Sequence, residues 1–210
     1  MQASIIIPAK NEAKRISKVL EKLKKTNHEV IVIDDGSTDN TAEVARHYKC
    51  KVISYKKNRG KGYACRLAAK NAKNRYLVFI DADCQMNPGE VPKLLKELKN
   101  NDIVMGVRKI DKIPINRKLA NKLSRKLIEK ATGAKFSDVL CGFRAVRKDA
   151  FNKLKLDRNR YEFETEMIKK AVKNGLKIKQ VPVTIHYEKG RKAPIKDNLK
   201  LALYLIKIWK

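Results

Sequence analysis

The stretch "YLVFIDADCQMNP", residues 76–88, holds the most chemically loaded pattern in the chain: Asp81 and Asp83 stand one residue apart, directly after an apolar run, with Gln85 two residues on. Two carboxylates so close repel each other unless a cation or protons relieve them. Their hard oxygens, with the Gln85 amide, suit Mg²⁺ or Mn²⁺. Paired aspartates also cap helices, so position decides between the readings. Two more acidic stretches, residues 8–12 and 34–39, likewise fall where apolar runs end. Lys61 lies between Gly60 and Gly62 at a predicted helix start, which suits an approaching anion but is also common in ordinary turns.

The elements that must position these groups alternate along the chain. Apolar runs "ASIIIPA", "EVIVIDD", "KVISY", "YLVFIDAD" and "DIVMGV" predict strands. Between them fall helical patterns such as "NEAKRISKVLEKLKKT", with Ile16, Val19, Leu20 and Leu23 at helical spacing. A helix is predicted over 88–99 as well. Strand and helix in alternation predict an α/β fold whose central sheet is mostly parallel and covered by helices on both faces. Ligands of such sheets bind beyond the carboxyl ends of the strands, where all three acidic stretches fall. The length, 210 residues with 43% hydrophobic content, fits one core and one domain.

Composition narrows the function classes. Four cysteines show neither CxxC nor zinc spacing and read as reduced packing residues. No run of about 18 apolar residues predicts a membrane span, and no leader pattern follows Met1, so a cytoplasmic location is expected. A formal net charge of +28 attracts polyanions or an anionic membrane surface. Aromatics at 6% and the lack of RRM, KH or helix-turn-helix signatures argue against nucleic acid as the partner. "PAKNEAKR" lacks the glycines that a nucleotidyltransferase usually carries after its first strand.

Downstream, Leu119, Leu123 and Leu127 form an apolar stripe among Arg117, Lys118, Lys122, Arg125 and Lys126. Such a helix suits a bilayer with anionic headgroups, or packs its stripe on the core. "FSDVLCGFRAVRKDA" brings Asp138 and Arg144 toward the site: Arg144 to neutralise a phosphate, Asp138 to orient Arg144 or the acceptor, or to act as a base. "YEFETEMIKKAVKNG" predicts a helix with Glu162 and Glu166 on one face. Residues 191–210 form an amphipathic, nearly all-apolar segment that needs cover. A lipid-surface helix anchored by Trp209 is expected there, with a homodimer interface as the alternative.

Five motifs in order, "SIIIPAKNEA", "VIVIDDGSTDNTAEVA", "NRGKGYA", "FIDADCQMNP" and "DVLCGFRAVRKDA", resemble the family 2 glycosyltransferases of the GT-A (Rossmann-like) fold. The closest likeness is to the polyprenyl-phosphate branch typified by dolichyl-phosphate mannose synthase. The resemblance implies a GT-A domain over 1–190 and an inverting transfer of a hexose from a nucleotide-sugar donor to a polyprenyl phosphate. It also implies Asp81, Asp83 and Gln85 as ligands of Mg²⁺ or Mn²⁺. Pro8, Glu12, Ile33, Asp35, Lys61 and Ala82 would line the donor, and Arg108, Arg117, Arg144 and His186 would meet phosphates. The chain departs from that branch at "HYEKGRKAP", where His186 replaces an arginine and no Ser-Lys follows. Lys189, Arg191 and Lys192 remain to close over the diphosphate, and His186 alternatively packs as a strand residue. A phosphate acceptor, dianionic near neutral pH, needs little help from a base. A sugar hydroxyl would need one, with Asp138 as the candidate.

Overall fold

The computed structural model describes residues 1–109 and 115–186. The predicted C-terminal helix, the basic loop with Lys189, Arg191 and Lys192, and the Arg117 side chain lie outside the described residues.

Seven strands form one sheet: β1 (Ser4–Ala9), β2 (Glu29–Asp35), β3 (Lys51–Tyr55), β4 (Tyr76–Phe79), β5 (Ile103–Arg108), β6 (Arg144–Arg147) and β7 (Ile178–Val183), in the order β3-β2-β1-β4-β6-β5-β7. β1 runs parallel to β2 and β4, β2 to β3, and β5 to β7. Only β6 opposes its neighbours. Helices α1 (Ala13–Leu23), α2 (Thr41–Arg46) and α4 (Val91–Glu97) cover one face, where Ile16, Leu20 and Leu94 pack on Ile5, Ile7 and Val32. α3 (Lys61–Asn71), α5 (Ile115–Thr132), α6 (Lys148–Lys153) and α7 (Phe163–Lys173) cover the other, where Ala64, Ala68, Phe163 and Met167 pack on Ile6, Ile31 and Phe79. Adjacent residues of β1 thus serve opposite cores, which is why the central strands are apolar throughout. The expected α/β, mostly parallel, doubly covered sheet is the observed one.

Three boundaries differ from the pattern. β4 stops at Phe79, so Asp81 and Asp83 have already left the ladder. The predicted helix over 88–99 starts with a single 3₁₀ turn at Pro88–Glu90, held by the Asn87 side chain accepting from Gly89 N–H, and becomes α-helical at Val91. On α5, Leu119 and Leu123 do not pack on the core: Ile115, Leu119 and Leu123 are 78, 64 and 45% exposed, while Ile128, Ser124 and Asn121 face inward. The Asn121 side-chain oxygen accepts from Val139 N–H at 3.2 Å, so α5 docks partly through polar groups.

Candidate active site

The parallel strands β1, β2, β4 and β5 all end on one edge of the sheet, and their exits build the crevice from the backbone outward. Asn11 and the loop after β2 are tied together: Asn11 N–H donates to Ser37 Oγ at 2.9 Å, and its side-chain oxygen accepts from Thr38 N–H at 2.8 Å. Asp39 caps two helices at once, accepting from Ala13 N–H and Thr41 N–H at 3.2 and 3.0 Å. Glu12 precedes α1 without capping it through its side chain, and Arg15 donates to its carboxylate at 3.1 Å.

Asp35 ends β2. Its buried carboxylate accepts from Arg59 N–H at 2.7 Å, Gly60 N–H at 2.8 Å and the Asn58 amide at 2.7 Å, fixing the chain that enters α3. Ile33 is wholly buried in the core beneath α3. Pro8, its partner across the ladder, is half-buried, and Ala82 is buried.

At the centre Lys61 Nζ sits 2.6 Å from Asp81 Oδ1 and 2.6 Å from Glu164 Oε1. Burial opposes the ammonium's charge, but the two carboxylates outweigh it and hold the pKa of Lys61 well above its ordinary value. Gly142 makes the meeting possible: a Cβ there would fall 2.7 Å from Lys61 Nζ and 2.9 Å from Asp81 Oδ2. The glycines on either side of Lys61 prove to serve backbone docking rather than an open anion nest. A Cβ on Gly62 would stand 2.2 Å from the Arg158 carbonyl oxygen, and one on Gly60 2.3 Å from that of Asn159. The 158–160 loop is tied down from behind by Glu166, whose two oxygens accept from Asp157 and Arg158 N–H at 3.0 and 3.1 Å. Gly62→Ala must push this loop or the start of α3 aside. A loss of about 1–3 kcal/mol in urea denaturation is expected, with a drop in transfer activity from the displaced Lys61.

Asp83 Oδ1 accepts from Gln85 N–H at 3.1 Å, and Cys84 between them takes a positive φ of 62°, so the segment turns tightly and Gln85 is buried. Gln85 C=O accepts from His186 N–H at 2.8 Å and Met86 bridges Ile185, which lays the chain after β7 against the aspartate turn. The His186 side chain is exposed, so it does not pack as a buried strand residue.

Arg108, at the exit of β5, forms a two-pronged pair with buried Asp138: Nε to Oδ2 at 2.6 Å and Nη2 to Oδ1 at 2.9 Å. Asp138 Oδ1 also accepts from Leu140 N–H at 3.2 Å. Asp138 therefore orients Arg108, not Arg144. Arg144 points inward: its fully buried guanidinium donates to the carbonyls of Cys141, Val139 and Glu164 at 2.9, 2.8 and 2.6 Å. Burial lowers its pKa and pushes that of the neighbouring Cys141 thiol up to about 12.

Sequence spacing pointed to Glu162 and Glu166 and missed Glu164. The signal was present, since Glu164 shares a helical face with Met167, Ile168 and Ala171, where a charge needs a partner. Among the described residues no three His, Cys, Asp or Glu side chains gather as a metal cage. Asp81 and Asp83 nevertheless offer hard oxygens at a turn, and Asp81 already holds a cationic group. A divalent ion on that pair would complete its shell from ligand oxygens, as a bound diphosphate supplies.

Residues 4–155 match the sequence profile of glycosyl transferase family 2. The chain is 36% identical over 200 residues to an uncharacterized protein of Methanocaldococcus jannaschii, covering 87% of each. It is 32% identical over 202 residues to the dolichol-phosphate mannosyltransferase of Pyrococcus furiosus, covering 88% of this chain and 56% of that one. It thus spans little more than half of that longer enzyme. Among solved structures, glucosyl-3-phosphoglycerate synthase from Mycobacterium tuberculosis with Mn²⁺, uridine-diphosphate and glucosyl-3-phosphoglycerate superposes with a TM-score of 0.81. That likeness covers 99% of this chain and 78% of the other at 22% identity, and is one of fold.

Proposed function

The chain belongs to glycosyl transferase family 2, and on that premise we propose that this hexosyltransferase moves a sugar from a nucleoside-diphosphate donor to a polyprenyl phosphate at the cytoplasmic face of a membrane. The observation that carries the reading is the carboxylate of Asp81 just past a parallel-strand exit, holding the Lys61 ammonium that Glu164 also holds. Asp81, Asp83 and Gln85 would hold Mg²⁺ or Mn²⁺, which when bound supplies positive charge to the departing diphosphate. Pro8, Glu12, Asp35 and Ala82 shape the donor side. Lys61 and Arg108 add fixed positive charge where negative charge grows on the leaving group.

Two observations favour a phosphate acceptor over a sugar hydroxyl. The Asp138 carboxylate accepts from Arg108 through both oxygens and from Leu140 N–H, which suits it to positioning rather than to proton removal. The exposed Ile115, Leu119 and Leu123 of α5, with exposed Lys122 and Lys126 on the same helix, suit an anionic lipid surface. No helix among the described residues is long and apolar enough to cross a membrane. The P. furiosus relative, named for dolichol phosphate, supports the same acceptor class.

A screen of labelled GDP- and UDP-sugars with Mn²⁺ and a polyprenyl phosphate tests the reading. Label is expected in the organic phase; label confined to water-soluble products would reject the lipid acceptor. If Asp138 acts through Arg108, Asp138→Asn lowers kcat/KM about tenfold in the wild-type background but by less than about twofold when Arg108→Ala is already present. Equal losses in both backgrounds would return Asp138 to an independent role.

A further inference from the structure

Glu164 is a buried carboxylate on α7 with one oxygen on Lys61 and the other, Oε2, buried without a hydrogen-bond partner. An acceptor left unmet in the interior is costly and calls for a reason. The same lysine bridges to Asp81, which is half-exposed at the crevice, so one ammonium is shared by two carboxylates of different standing. Of the two carboxylates, Asp81 is the more exposed and is the one a cation from solvent can reach.

We infer that Lys61 and Glu164 form a cation-exchange pair on Asp81: the ammonium holds Asp81 until a divalent ion arrives, and Glu164 then keeps the displaced ammonium at the site. This rests on Asp81 being a metal ligand, as proposed above. A divalent ion on the Asp81 carboxylate repels the ammonium that sits 2.6 Å from one of its oxygens, which drives Lys61 off Asp81 as the ion binds. Glu164 Oε1 already holds it, and Oε2 supplies the second acceptor needed once Asp81 lets go. Gly142 leaves the room in which Nζ moves, since any side chain there would collide with it. Kept on Glu164, the ammonium stays beside the ion and faces the incoming anionic donor. Glu164 is thus a positioning residue that sets the metal affinity through Lys61.

The two partners are expected to move metal binding in opposite directions, which a purely structural ion pair would not do. In calorimetric titration of the full chain with MnCl₂ and no nucleotide, Lys61→Met removes the competitor and tightens Mn²⁺ about tenfold, whereas Glu164→Gln leaves the ammonium only Asp81 and weakens it about tenfold. In the double variant the Glu164→Gln effect shrinks to less than about threefold, because its intermediary is gone. Shifts in the same direction, or none beyond twofold, overturn the inference while leaving the metal site standing. Absence of Mn²⁺ binding to the wild-type chain, with or without GDP or UDP, overturns the metal reading and the inference together. Should Lys61→Met fail to fold with two unpaired carboxylates, a Mn²⁺ soak of wild-type crystals decides. Nζ bonded only to Glu164 supports the exchange, and Nζ still on Asp81 beside a bound ion refutes it.

Discussion

Asp81→Asn is expected to lower hexosyl transfer at least about a thousandfold while leaving the urea midpoint nearly unchanged. The substitution keeps the side chain's shape and a neutral oxygen for Lys61, but removes the negative charge that would grip a divalent ion. Loss of a single charge-stabilising donor in an enzyme site costs about a hundredfold to a thousandfold, and a metal contributes more. Stability should hold because Asp81 is partly exposed and Lys61 retains Glu164. Steady-state transfer from the donor identified in the screen, beside a denaturation curve, separates the two effects. A loss below tenfold would remove Asp81 from the chemistry.

Arg144→Met is expected to act the other way, on stability first. The wild-type guanidinium is enclosed and donates to three backbone carbonyls that join the chain before β6 to the start of α7. Methionine fills much of the space but donates nothing, so the carbonyls of Cys141, Val139 and Glu164 are left in the interior without it. A loss of about 3–5 kcal/mol in urea denaturation follows, with donor affinity of the remaining folded protein changed by only a few-fold. A fully stable variant with donor binding lost would instead restore Arg144 to the phosphate-contacting role that the motif suggested.

The contrast between these two residues shows what was legible in the sequence. Asp81 follows a continuous apolar run, and a parallel strand buried on both faces has few other ways to be written, so its exit was readable. Arg144 stands in a motif of the right family, but a linear pattern does not say whether a guanidinium turns toward the crevice or back into the backbone. β6 was unreadable for a related reason: four residues entering from an irregular segment carry no periodicity that distinguishes antiparallel insertion from a loop. Ile33 lies one residue before the exit aspartates of β2, and the period-2 alternation of a strand turns it under α3. The glycines around Lys61 read as suited to an approaching anion, whereas what lies against them in the fold is the carbonyl of Arg158 or Asn159. Glu164 fell on the apolar face of its helix, and only its tertiary partners reveal why a carboxylate is there.

Transfer by this site requires a divalent ion seated between the Asp81–Asp83 turn and a donor diphosphate. Diffraction at the manganese edge from crystals grown with Mn²⁺ and GDP or UDP measures this directly. An anomalous peak within bonding distance of Asp81 or Asp83 and of the diphosphate oxygens is predicted. A nucleotide bound in the crevice with no such peak, and Lys61 unmoved on Asp81, would contradict it.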